Sequence, residues 1–243
     1  MKKLLYLWLP ATGALLIYGF MQAWYIAPTE ATMGNIQRIF YYHFAIANLM
    51  FLFFFLSFIA SIGYLVVRRS NPLRAQSFDA FALANAEVGV VYCACVLIQG
   101  PLWARPVWGI WWTWDERLTS TLILFLIYVA YLMVRRFAVA GQTQTLAAVI
   151  AIFGFLDVPI VYFSIRWWRT QHPSPVIGGG PNTGLDPRIW VAVWWNLAAW
   201  LAWGLMLMAF RYYSIRREQR REQEQALAAL EATLDIRGEE SKR

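Results

Sequence analysis

The chain has 243 residues, of which 60% are hydrophobic and only 14% charged. A soluble domain carries roughly a quarter charged residues, so this balance excludes an ordinary soluble domain and fits a polytopic membrane protein. The net charge is +7, but the basic residues lie between apolar runs and in a C-terminal tail, a distribution that points away from nucleic acid.

Six apolar runs are long enough to cross a bilayer, at about 5–26, 43–67, 80–101, 118–134, 146–165 and 190–210. The first follows Met1-Lys2-Lys3; its length and the lack of a small-x-small cleavage site make it an uncleaved anchor rather than a signal peptide. The second opens on His43 in "QRIFYYHFAIA", five residues after Arg38. The third carries Glu87 and, in "VVYCACVLIQ", Cys93 and Cys95. Two residues on a helix subtend roughly 200°, so these thiols face apart and read as small buried hydrophobes. Between the third and fourth runs lies "WGIWWTWDERLTS", residues 108–120. The fifth run holds Asp157, two residues before Pro159, whose ring disrupts the local ladder. An ionisable group at membrane depth costs about 2.5–3.5 kcal/mol, which makes Glu87 and Asp157 candidates for function. The plainer alternative for Asp157 is a protonated carboxyl bonding the backbone groups that Pro159 frees.

After the fifth run comes His172 in "IRWWRTQHPSP", then "SPVIGGGPNTGLDPR", an irregular loop with expected turns at Pro181-Asn182 and Asp186-Pro187. Beyond Arg211 the tail is charged, with Leu227, Leu230 and Leu234 at helical spacing. It reads as an amphipathic helix, equally a docking surface or a solvated one. The expected organisation is an all-α membrane protein with six transmembrane helices, comprising a membrane domain over 1–212 and a cytoplasmic tail over 213–243.

Charge sets the orientation. Lys2, Lys3, Arg68, Arg69, Arg74, Arg135, Arg136, Arg211, Arg216, Arg217, Arg220 and Arg221 flank one side of the spans. Only Arg38, Arg105, Arg117, Arg166, Arg169 and Arg188 flank the other. The positive-inside rule therefore places both termini in the cytoplasm and the loop between spans three and four outside. On this topology eleven tryptophans gather on the outer side: Trp24, Trp103, Trp108, Trp111, Trp112, Trp114, Trp167, Trp168, Trp190, Trp194 and Trp195. Trp8 lies toward the inside, and Trp200 and Trp203 are mid-span. Interfacial belts are two-sided, so this asymmetry points to an aromatic platform for a ligand. Trp108, Trp111, Trp112 and Asp115 are spaced i, i+3, i+4, i+7 and would share a face if helical. Asp115 also fits as the N-cap of span four, accepting the Leu118 N–H.

His43 and His172 are the chain's two histidines. A lone histidine at a helix end is more often a hydrogen-bonded structural residue than a ligand. Two imidazoles at one depth, flanking a tryptophan shelf, could instead clamp an iron from both faces. Zinc fits poorly, because two further ligands at recognisable spacing are missing. Haem b meets each demand, being flat, apolar and iron-bearing, with two propionates for which Arg38 and Arg117 are candidate partners. No Cys-x-x-Cys-His occurs, which excludes covalent c-type attachment to this chain. A b-type cytochrome subunit passing electrons to quinone is the alternative, although its haem ligands usually lie well inside the spans.

The Trp108–Ser120 stretch resembles the WWD signature of haem-handling membrane proteins. The six-span length, "QRIFYYH" and "RWWRTQH" resemble one branch of them, the haem exporter protein C (cytochrome c maturation protein C) family. The resemblance covers about residues 1–212. It implies that His43 and His172 are axial haem ligands and that Trp108, Trp111, Trp112, Trp114 and Asp115 hold the haem edge. It further implies a haem-handling component rather than an enzyme, in the bacterial inner membrane, presenting haem at the periplasmic face to a membrane-anchored haem chaperone. A two-subunit ATP-binding-cassette transporter and a small single-span subunit are the other implied partners. The chain has no phosphate-binding Gly-rich loop, so ATP use would belong to a partner.

Overall fold

The structure, a computed structural model, describes residues 2–137, 143–168, 172 and 186–240. The described residues form seven α-helices and no strands. These are α1 (Lys2–Met21), α2 (Ile39–Val67), α3 (Pro72–Trp108), α4 (Glu116–Phe137), α5 (Thr143–Phe155), α6 (Asp157–Trp167) and α7 (Pro187–Glu240). Five segments are long and apolar enough to cross a membrane: Asn35–Val67, Pro72–Trp108, Glu116–Phe137, Thr143–Trp167 and Pro187–Leu234. The 20-residue α1, prolonged by a π-helical turn over Gln22–Ile26, accounts for the sixth expected span. The protein is therefore an all-α polytopic membrane protein.

Several boundaries differ from the sequence reading for local reasons. The fifth span is two helices, because the ladder breaks at Leu156, whose N–H turns back to the Phe153 carbonyl (3.0 Å). The third span does not stop near Pro101 but continues through Pro101 and Pro106 to Trp108. It ends at Gly109, whose positive φ of 78° is cheap only for glycine and whose N–H caps the Arg105 carbonyl (3.0 Å). Residues 109–115 are consequently irregular, and the helical face proposed for Trp108, Trp111, Trp112 and Asp115 does not form. A 3₁₀ turn over Asn35–Arg38 leads into α2 at Ile39, so His43 sits one turn inside the helix rather than opening it. Asp186 does not make a free-standing turn. Its carboxylate accepts the Arg188 N–H (2.8 Å) and Pro187 begins α7, the position where a missing N–H costs nothing. The Pro181-Asn182 turn lies outside the described residues. α7 runs unbroken across the expected domain boundary at residue 212.

The core sits between α2, α3, α4, α5 and α7. Phe53, Phe54, Tyr92, Tyr128 and Tyr131 are its large fully buried side chains. Phe54 stacks on Tyr128 with ring centroids 3.9 Å apart. Two glycines permit this density: a Cβ at Gly89 would lie 2.6 Å from the Phe54 ring, and one at Gly204 would lie 2.6 Å from the Phe53 ring. Small residues that let helices close on each other are how spanning bundles gain packing energy in lipid. Away from the tryptophan loop, two ion pairs tie α3 to its neighbours. Arg135 on α4 donates to both Asp79 oxygens (2.5 and 2.9 Å), and Arg211 on α7 donates to both Glu87 oxygens (2.5 and 3.0 Å). Glu87 is thus a bidentate structural partner of Arg211. Asp157, at the start of α6, keeps a buried Oδ2 with no hydrogen-bond partner among the described residues.

Candidate functional site

At the tryptophan-rich end of the bundle, α2, α3, α4 and α6 line a cavity of about 870 Å³. Small-molecule and cofactor sites run from about 300 to 1,000 Å³, and this one is at the upper end, large enough for an extended planar ligand. Its floor is apolar, formed by Met50, Val96, Leu97 and Val161. Residues 28–33, the strap between α1 and α2, line its upper side.

The polar groups that converge on the cavity come from distant parts of the chain. His43 projects from the first turns of α2, Arg117 from the first turn of α4, and His172 from beyond α6. His172 and Arg117 both lie within electrostatic reach of the His43 imidazole. The His43 ring meets Trp103 edge-on at 5.9 Å, and its Cε1 faces α3 at Gly100, where even an added Cβ would make only ordinary contact at 3.9 Å. Trp108 and Trp112 add indole surface to the wall. The His43 Nδ1, Trp103 Nε1 and Trp112 Nε1 are buried and have no hydrogen-bond partner among the described residues. Buried polar atoms are normally satisfied, so a cluster of unsatisfied ones around a cavity marks a place built for a polar-edged ligand.

The sequence-derived site residues separate into four groups. His43, His172, Arg117, Trp108 and Trp112 line the one cavity. Asp115 stands behind it: its Oδ1 accepts the Leu118 N–H (2.9 Å) and its Oδ2 the Thr113 hydroxyl (3.1 Å). That is the N-cap expected from sequence, and it fixes the turn from which Arg117 projects, with the guanidinium donating to the Val161 carbonyl at 3.5 Å. Trp111 and Trp114 do not line the cavity; they are 57% and 76% exposed, and Trp114 packs edge-on against Trp112 at 5.6 Å. Arg38 is buried but turned away from the cavity. It donates to the Asn35 side chain (3.0 Å), the Thr29 hydroxyl (3.1 Å) and the Ala23 carbonyl, and its guanidinium lies over the Trp24 ring.

Sequence reasoning placed Trp103 on the outer aromatic platform but past the expected end of the third span at residue 101, and so not among the site residues. It missed Glu30 and Tyr162, which also line the cavity. Glu30 belongs to the strap, where its carboxylate accepts the Thr32 and Met33 N–H groups. The Met33 N–H is the largest influence and holds Glu30 below the usual carboxylate range. Asp186, also on the cavity wall, is held low by the Arg188 guanidinium beside it.

Comparison with known families decides the broader assignment. The family model described as "Heme exporter protein C" matches residues 1–227. The chain belongs to the Heme exporter protein C family. A protein of that name from Bradyrhizobium diazoefficiens is 34% identical over 230 residues, covering 93% of this chain and 83% of its own length. One from Escherichia coli K12 is 29% identical over 220 residues, covering 87% of this chain and 84% of its own. A "Putative cytochrome c biosynthesis ccmC-like mitochondrial protein" from Marchantia polymorpha is 34% identical over 171 residues, with 70% of each chain covered. Membership in the Heme exporter protein C family gives this multi-pass membrane protein a role in haem delivery for cytochrome c biogenesis. The match reaches 15 residues beyond 212 and so takes in the first part of the charged tail.

Proposed function

We propose that the cavity binds haem b at the periplasmic face of the bacterial inner membrane and presents it to a membrane-anchored haem chaperone. The observation that carries this reading is convergence. The chain's two histidines, some 130 positions apart in sequence, line the same apolar cavity beside Arg117 and three indoles. The donor set fits the group: two imidazoles for the iron's axial positions, a guanidinium for a propionate, and flat aromatic walls for the macrocycle. The iron supplies the coordination bonds; the protein supplies orientation and exclusion of water. His43 and His172 would coordinate the iron, Trp108 and Trp112 would contact the macrocycle, and Arg117 would pair with one carboxylate. Each indole contact adds about 0.5–1.5 kcal/mol beyond area burial. Trp111 and Trp114, exposed beside the cavity, are candidates to meet the chaperone as it takes the haem. Arg38, which does not line the cavity and has three of its five donors engaged on the strap and its flanks, is not a propionate partner in this reading.

Delivery also requires release, and the family's ATP-driven step belongs to other subunits in this reading: a two-subunit ATP-binding-cassette transporter, with a small single-span subunit completing the assembly. The test is spectroscopic. His43→Gly and His172→Gly should each change the spectrum of bound haem, and added imidazole should partly restore it. Unchanged spectra in both variants would falsify bis-histidine ligation.

A further inference from the structure

The strap between α1 and α2 has no regular structure to hold it, yet residues 28–33 form a wall of the cavity. Its own bonds are local. The Gly34 N–H donates to the Glu30 carbonyl (3.0 Å), the Glu30 carboxylate takes two strap amides, and Ala27 N–H closes the π turn onto the Gln22 carbonyl (2.8 Å). The Ile36 N–H on the Met33 carbonyl (3.3 Å) fixes the strap's far end, and none of these bonds ties its middle to the bundle.

Arg38 does. A guanidinium carries five donors in a rigid planar fork, and here the fork is shared among three pieces of chain. One edge reaches Ala23 at the end of the first span, another reaches Thr29 within the strap, and Nε reaches Asn35 at the head of the 3₁₀ turn. The cation also lies 5.7 Å from the Trp24 ring centroid, and the residue is only 7% exposed. Arg38 is absent from the cavity lining, whereas Arg117, the other candidate, is on it.

We infer that Arg38 is a positioning residue: it clamps the strap over the cavity and so sets how fast the bound ligand leaves, without touching that ligand. The inference rests on the reading of the cavity as a haem site only for its kinetic readout, because the strap's position can be followed without haem. A propionate partner and a strap clamp make opposite predictions for Asn35. Removing Asn35 strips an anchor from the clamp but leaves the Arg38 charge in place.

The experiment uses the full chain in detergent or nanodiscs, with Met33→Cys, at a half-buried strap position on the cavity wall, as the reporter. In the haem-free protein, both Arg38→Lys and Asn35→Ala should speed maleimide labelling of that cysteine. In the haem-loaded protein, both should accelerate haem transfer to excess apomyoglobin while leaving the axial-ligand spectrum unchanged. The loss of one to two hydrogen bonds predicts several-fold acceleration for Asn35→Ala and on the order of tenfold for Arg38→Lys. If Arg38→Lys loses haem faster while Asn35→Ala matches the unmodified protein in both assays, the clamp is overturned and the propionate role is restored. If either variant alters the axial-ligand spectrum, Arg38 acts on ligation and the inference also fails. If the unmodified protein binds no haem, the proposed function falls, and the labelling comparison still decides the clamp.

Discussion

At Asp115 both carboxylate oxygens are engaged within the turn that starts α4, one on the Leu118 amide and one on the Thr113 hydroxyl. The side chain therefore serves the cavity through Arg117, two residues on. Asparagine retains an acceptor for the cap whereas alanine does not, and losing an N-cap costs about 0.5–2 kcal/mol. Asp115→Ala should lower the thermal unfolding temperature and shift the spectrum of bound haem, while Asp115→Asn should do neither to a comparable degree. Glu30 makes a pH-dependent contribution. Its folded pKa is depressed, so its stabilisation of the strap is complete above the ordinary glutamate value and is lost as pH falls through the lower folded one. Labelling of Met33→Cys, corrected for the pH dependence of the thiol reaction, should be flat near neutrality and rise only below about pH 4. An onset near pH 6 would assign the strap's acid sensitivity to another group.

The ion pairs on α3 act at the level of the elements. Asp79 and Arg135 are 6% and 12% exposed, so truncating one partner strands a buried charge. Breaking such a pair costs about 3–5 kcal/mol, whereas replacing both partners is often neutral. Asp79→Ala should markedly reduce the yield of monodisperse protein, and adding Arg135→Leu should recover much of it. The elements themselves were largely legible in the sequence, because 20-residue apolar runs and flanking arginines are strong signals. The Asp115 cap was legible for a related reason: it depends on one residue and its near neighbours. What was not legible depended on single backbone choices. Gly109 turning left-handed ends α3 and leaves the tryptophan stretch irregular, although its spacing suits a helix. Pro101 reads as a terminator, yet the helix passes through it and delivers Trp103 to the cavity. Arg38 looked like an anion partner because charge is visible in sequence and hydrogen-bond destination is not.

For the whole molecule, the positive-inside rule and the placement of the cavity make one joint prediction. Cysteine introduced by Ile110→Cys, at an exposed position in the tryptophan loop, should react with an impermeant maleimide added outside, and Ser70→Cys, in the α2–α3 turn, should react only after permeabilisation. The opposite pattern would put the cavity on the cytoplasmic side and remove delivery to a periplasmic chaperone. Orientation has a mechanical counterpart in α7, a single uninterrupted helix of 54 residues. At 1.5 Å per residue it is about 80 Å long, more than twice the roughly 30 Å hydrocarbon thickness. Ile189 in its first turn lines the cavity, and Gln223, nine turns on, is bonded to Gln76 at the other end of α3. Such a rod has no hinge, so its ends behave as the two arms of a lever. A tilt of about 5° displaces one end by roughly 7 Å relative to the other over that length. A force applied to the arginine-rich arm is thereby felt as strain at the wall of the ligand chamber, with no intervening joint to absorb it.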